Sequence, residues 1–173
     1  MPGMSIVDHC HRSDIFRRCT VSRRRHFLPT GDSIKMPFID HFSIGVADLA
    51  RSGPFYDALL ATIGAARRFE KPDFICYGTG SVEFVVVNAP DDRTQPIASS
   101  NGFHVCFTAP DPEAVRRFHA VSLAHGGSDN GAPGYRPQYA PDYYGAFLID
   151  PDGHHVGAVC RTGITAAVGS ATA

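Results

Sequence analysis

Three side chains in this sequence have the types and placement to hold a divalent metal together: His41, Glu83 and His104. Each lies in or beside a short, apolar, β-prone run. Two imidazoles and a carboxylate converging on one cavity are the donor set that Zn²⁺, Ni²⁺, Mn²⁺ or Fe²⁺ takes with coordination positions left open. Such a cation would polarise a group bound at its open positions and stabilise negative charge developing on it. Near the C-terminal end, Tyr135, Tyr139, Tyr143 and Tyr144 cluster around Arg136, a set suited to an aromatic or medium-sized polar molecule, with the guanidinium as a carboxylate or phosphate clamp. Glu83 and Tyr144 are the candidate catalytic groups. Ser43, Cys106, Arg136, Tyr139, Tyr143 and His155 are the candidate substrate contacts. The competing reading makes both histidines hydrogen-bonded pocket residues, Glu83 an exposed strand residue and the tyrosines rim packing.

The elements that must position these groups follow from an internal repeat. A shift of 63 residues lays His41 on His104, Asp48 on Asp111, Phe55 on Phe118, Leu60 on Leu123, Ala61 on Ala124 and Gly64 on Gly127. These identities point to a duplicated supersecondary unit. Phe38 to Val46 and Gly102 to Ala109 read as the opening strands. Asp48 and Asp111 are placed to cap helices whose apolar spacing runs to Gly64 and to Gly126-Gly127. Three strands are expected after the first helix, over Ala66 to Glu70, Phe74 to Tyr77 and Val82 to Val87. After the second, Ser128 to Asp142 reads as an irregular loop around one short strand. Tyr143 to Ile149 and His155 to Cys160 then form a hairpin about Asp150-Pro151-Asp152-Gly153. The expected fold is α+β: two tandem βαβββ modules, about 37–90 and 101–161, forming a pseudo-symmetric cup. Side-chain alternation puts His41 with Ser43, and His104 with Gly102 and Cys106, on the inner face. The closing strands match Val82-Glu83-Phe84 with Val156-Gly157-Ala158, so that Glu83 corresponds to Gly157.

Over Pro37 to Arg161 the chain resembles the vicinal oxygen chelate superfamily, which includes glyoxalase I, extradiol dioxygenases and bleomycin and fosfomycin resistance proteins. The resemblance is carried by Ile39-Asp40-His41-Phe42, Val46-Ala47-Asp48-Leu49, Phe55-Tyr56, Gly102-Phe103-His104 and Asp150-Pro151-Asp152-Gly153-His154. It implies the glyoxalase-like fold, and metal ligands at His41, Glu83, His104 and residue 157. Gly157 departs from the pattern, standing where the family usually offers a glutamate. The resemblance implies a metal-dependent lyase, isomerase or dioxygenase; the alternative is a metal-free binding or drug-sequestering protein using the same cup. A homodimer is expected by the same analogy.

Composition bounds the rest. At roughly 150 residues per domain, 173 residues make one domain. Sixteen Lys and Arg against seventeen Asp and Glu leave a net charge of −1, which offers no general attraction to nucleic acid or anionic membrane. Five cysteines without CxxC spacing argue against a disulfide framework and for the cytoplasm. Residues 1–36, with Arg12, Arg17, Arg18, Arg23, Arg24, Arg25 and Lys35, read as a disordered basic extension or translated upstream sequence. Residues 162–173 read as a flexible tail, leaving 37–161 as the folded domain.

Overall fold

A computed structural model of the chain describes residues 39–89, 97 and 102–161; the basic leader and the tail expected from the sequence lie outside these. The opening strand β1 (Phe42–Val46) leads into α1 (Leu49–Ala61), followed by β2 (Ala66–Lys71), β3 (Phe74–Gly78) and β4 (Phe84–Asn88). The second module repeats the order with β5 (Val105–Thr108), α2 (Pro112–Ala124), β6 (Ser128–Tyr135), β7 (Tyr144–Ile149) and β8 (His155–Cys160). Both sheets have the closing strand beside the opening one, in the orders β1-β4-β3-β2 and β5-β8-β7-β6. The βαβββ duplication is therefore present, with both helices displaced by the same 63 residues as the sequence repeat. No helix among the described residues is long and apolar enough to cross a membrane.

The helix caps are those the sequence calls for. The Asp48 carboxylate accepts from Ala50 N at 2.8 Å and that of Asp111 from Ala114 N at 2.7 Å. Beyond α2 the His125 ring meets the Val121 carbonyl at 2.9 Å. The segment expected as a loop around one short strand is instead mostly strand: β6 spans eight residues and pairs with β7 through two register shifts around Gly131. Its glycines and Pro133 are tolerated because β6 is an edge strand, where bulges absorb residues that a central strand would reject.

One core serves both modules. Phe55, Tyr56, Leu59 and Leu60 of α1 join Ile44, Val46, Tyr77, Phe84 and Val86, and also Phe118, Leu148, Val156 and Ala158 of the second module. Phe107 links the halves, its ring centroid 5.3 Å from that of Phe84 and 6.4 Å from that of Phe42. The helix-facing sides of the two sheets thus share their burial. The faces carrying Ser43 and Cys106 are turned away from it.

The turn between β7 and β8 fastens the modules together. The Asp150 carboxylate, 4% exposed, accepts from Tyr56 OH at 2.6 Å and from the amides of Asp152 and His154 at 2.9 and 2.7 Å. Asp152 reaches across to Ala47 N at 2.9 Å, Ser52 Oγ at 2.6 Å and the Arg51 guanidinium. His154 Nε2 donates to the Gly45 carbonyl at 2.7 Å. Burial, together with the charge of Asp150, pushes the Tyr56 phenol well above its ordinary pKa, which keeps it a donor. Removing a buried acceptor strands every donor that it satisfies, whereas removing one donor loses a single bond. Asp150→Ala is therefore expected to cost about 2–4 kcal/mol and Tyr56→Phe about 1 kcal/mol, measured by urea unfolding of the two variants.

Candidate functional site

Strand pairing decides which residues of the two modules are equivalent. In the first module β1 and β4 run parallel with Phe42 opposite Phe84 and Ser43 opposite Val85. In the second, β5 and β8 run parallel with Val105 opposite Val156 and Cys106 opposite Gly157. Because Phe42 and Val105 are repeat partners, Phe84 corresponds to Val156, Val85 to Gly157 and Glu83 to His155. The expected match of Glu83 with Gly157 is thus wrong by two residues. A slip of two keeps a side chain on the same sheet face, so the alternation pattern could not reveal it.

The slip removes the acid from the expected centre. At the position equivalent to Gly157 stands Val85, 4% exposed and packed with Phe74, Cys76 and Val87. Glu83 precedes β4, is exposed, and its carboxylate accepts from Thr79 N at 3.1 Å and from Thr79 Oγ1 at 3.3 Å. His41 precedes β1 and its Nδ1 pairs with the neighbouring Asp40 carboxylate at 2.6 Å. Among the described residues, no group of three or more His, Cys, Asp or Glu side chains is arranged to hold a metal ion. His41, Glu83 and His104 are therefore not brought together as a metal centre within one chain.

What the second module does assemble is a low aromatic face on the side of its sheet away from α2. Phe147 lies between Gly131 of β6 and Gly157 of β8 in register. A Cβ at Gly157 would stand 2.9 Å from Phe147 Cδ1 and 3.0 Å from His104 Nε2, and one at Gly131 would stand 3.0 Å from Phe147 Cδ2. The missing side chains let the Phe147 ring lie down on the sheet and the His104 imidazole approach its edge, with centroids 5.6 Å apart. Tyr143 lies similarly over Gly145, where a Cβ would meet its Cε1 at 2.8 Å. Arg161 sits above the Tyr143 ring at 4.9 Å, and the exposed Tyr139 meets the edge of that ring at 5.3 Å.

Several predicted contacts join this face. Cys106 Sγ lies 3.7 Å from Tyr143 OH. Burial raises the pKa of that thiol and carries the Tyr143 phenol to about 12, so neither is ionised at neutral pH. His155 receives the Asn130 amide at 3.1 Å, and Arg136 lies 5.8 Å from the Phe147 centroid. Ser43 is on the other module, opposite Val85. Tyr144 does not join the face. It alternates with Tyr143 and points into the core, its hydroxyl receiving Arg116 at 3.2 Å and its ring packed on Tyr135, so it cannot serve there as a catalytic group. Phe147 is not among the expected contacts, although it alternates with Tyr143 and Gly145, a pattern visible in the sequence. Asn130 has no sequence signal, because the glycines and proline of its segment read as loop.

The His104 pKa is lowered first by burial and then by the nearby His155. The neutral ring is favoured in the folded protein, so stability falls as pH drops through the ordinary histidine range and levels off below the pKa of His104 itself. In a proton NMR titration His104 is expected to titrate below about 6.5. His155→Asn should raise that midpoint only partway, because burial remains.

Solved structures resemble this architecture. A glyoxalase/bleomycin resistance protein from Albidiferax ferrireducens T118 is 35% identical, with 69% of this chain and 96% of that one covered and a TM-score of 0.63. A glyoxalase-related enzyme from Fulvimarina pelagi aligns at 18% identity over 72% of this chain and 88% of that one, TM-score 0.58. The fosfomycin resistance protein FosX from Mesorhizobium loti aligns at 14% identity over 77% and 93%, TM-score 0.50. The last two speak for the fold alone. No protein-family model matches the chain, and no curated protein matches it.

Proposed function

The chain belongs to the glyoxalase/bleomycin resistance protein family of the vicinal oxygen chelate superfamily, and from that premise we propose that it binds a small organic molecule without a protein-held metal, as a sequestering or carrier protein. The binding surface in this reading is the open face of the second module, floored by Phe147 and Tyr143. The observation that carries it is the register of the closing strands. Val85 and Gly157 occupy the equivalent positions beside the opening strands, and Glu83 is engaged by Thr79, so neither closing strand carries a carboxylate at the position beside its opening strand. Without that acid the described residues hold neither a two-histidine, one-carboxylate donor set nor a general base on that face for proton abstraction beside a carbonyl.

The affinity available to such a face comes from apolar contact and ring stacking, with polar groups fixing orientation. His104, kept neutral, supplies a hydrogen bond without the cost of desolvating a charge. The sparse cysteines, without CxxC spacing, support a cytoplasmic location. The reading extends to a homodimer in which a second copy walls the open face; sedimentation equilibrium checks it, and a monomer at all concentrations would count against it.

The test is metal analysis joined to ligand binding. Tag-free protein is expected to carry far less than one equivalent of Zn, Ni, Mn or Fe, and a planar aromatic probe should bind equally well before and after chelator treatment. Phe147→Ala should weaken that probe about tenfold, the effect of removing one stacking ring, worth about 1.4 kcal/mol. Near-stoichiometric metal with chelator-sensitive binding would favour the metal-dependent lyase, isomerase or dioxygenase instead.

A further inference from the structure

The charged groups on the open face of the second module are not balanced. Arg161 has an acidic partner in Asp142, at 3.6 Å. Asp129 is occupied by His119, at 2.7 Å, and pairs in register with the core residue Leu148. Arg136 has no acidic partner among the described residues. Its guanidinium donates to the carbonyls of Ala132 at 2.6 Å and Tyr135 at 3.2 Å, which fix its position without neutralising it. Two donors are committed to carbonyls and three of the five on a guanidinium remain.

The backbone around Arg136 is shaped to this placement. A Cβ at Gly134 would lie 2.8 Å from Arg136 Nη1, and one at Gly131 would lie 3.7 Å from Nη2. The guanidinium therefore lies low against β6, over the edge strand and 5.8 Å from the Phe147 ring centre. A fixed, uncompensated cation next to an aromatic floor matches a flat ligand that brings its own negative charge at one end. A planar carboxylate suits the fork of a guanidinium better than a point charge does.

We propose that this face selects planar aromatic acids, the ring resting against Phe147 and the carboxylate held by Arg136. The proposal rests on the binding reading above and adds the charge and shape of the ligand. His104 contributes an uncharged ring at the edge of the floor, so Arg136 alone supplies the discrimination between an acid and its neutral analogue. Gly134 is a positioning residue: it leaves the room that keeps the guanidinium low.

The experiment titrates the full-length protein with naphthalene-2-carboxylate and, separately, with the uncharged naphthalene-2-carboxamide, by calorimetry. Wild type is expected to bind the acid at least tenfold more tightly than the amide. Arg136→Gln should bring the two within about twofold by weakening the acid alone, and Gly134→Ala should narrow the ratio while leaving the amide unchanged. Thermal unfolding of each variant verifies that it is folded, and Arg136→Lys, which keeps charge without the fork, should recover only part of the ratio. Equal binding of acid and amide by wild type, or a ratio that survives Arg136→Gln, overturns the proposal and leaves the binding face standing. Failure of both probes to bind wild type overturns the binding face and the selectivity together.

Discussion

The placement of the two modules depends on two buried carboxylates in a five-residue turn. Asp150 and Asp152 are acceptors for groups from both halves: the Tyr56 hydroxyl, the Ser52 hydroxyl, the Ala47 amide and the Arg51 guanidinium on one side, and the turn's own amides on the other. An unpaired carboxylate in that position would be strongly unfavourable. The turn therefore admits one docking geometry, in which every acceptor is filled. Apolar contact between the modules, centred on Phe42, Phe84 and Phe107, supplies attraction but little direction. The hydrogen bonds supply the direction. His154 closes the arrangement on Gly45, and the next residue, His155, emerges on the opposite face beside Asn130. The clasp thus also sets where β8 presents its outward side chains.

Much of this fold was legible because it rests on periodicities. The repeat located both helices and their aspartate caps, and the Asp-Pro-Asp-Gly run located the hairpin. The turn's second role was not legible. Nothing local distinguishes an aspartate that shapes a turn from one that also anchors a distant helix, since the partners Ser52 and Tyr56 lie about a hundred residues earlier. β6 failed for a different reason: glycine and proline are poor strand formers on average, but an edge strand with bulges asks only for backbone pairing along one side.

The candidate site was legible by face and not by position. Alternation puts Cys106 and His155 on the same face of the second sheet as His104, and there they lie beside Tyr143 and Asn130. It also spread the tyrosines too freely, because Tyr143 and Tyr144 are neighbours on a strand and must point opposite ways; the Tyr144 ring belongs to the core. Hairpin position in the sequence pairs Glu83 with Gly157. Parallel pairing of β1 with β4 and of β5 with β8 fixes a different equivalence, and this pairing joins segments some forty to fifty residues apart. Long-range register is the one quantity that a periodic reading cannot supply.

Duplication gave the two modules one scaffold, and substitution has made their outward faces unlike. In the first, the equivalent positions hold Val85 and Val87, buried with Phe74 and Cys76 in an apolar cluster of their own. In the second they hold Gly157 and the half-buried Val159, and the strands beside them carry Gly131, Gly134 and Gly145. Glycine there does not loosen the sheet, because each missing Cβ is covered by a neighbouring ring or guanidinium that could not otherwise approach. The absence of a side chain at Gly157 admits His104 and Phe147 to contact. An acid at that position would have to displace the Phe147 ring and the His104 imidazole that now lie against the glycine. The residues present are those of the floor.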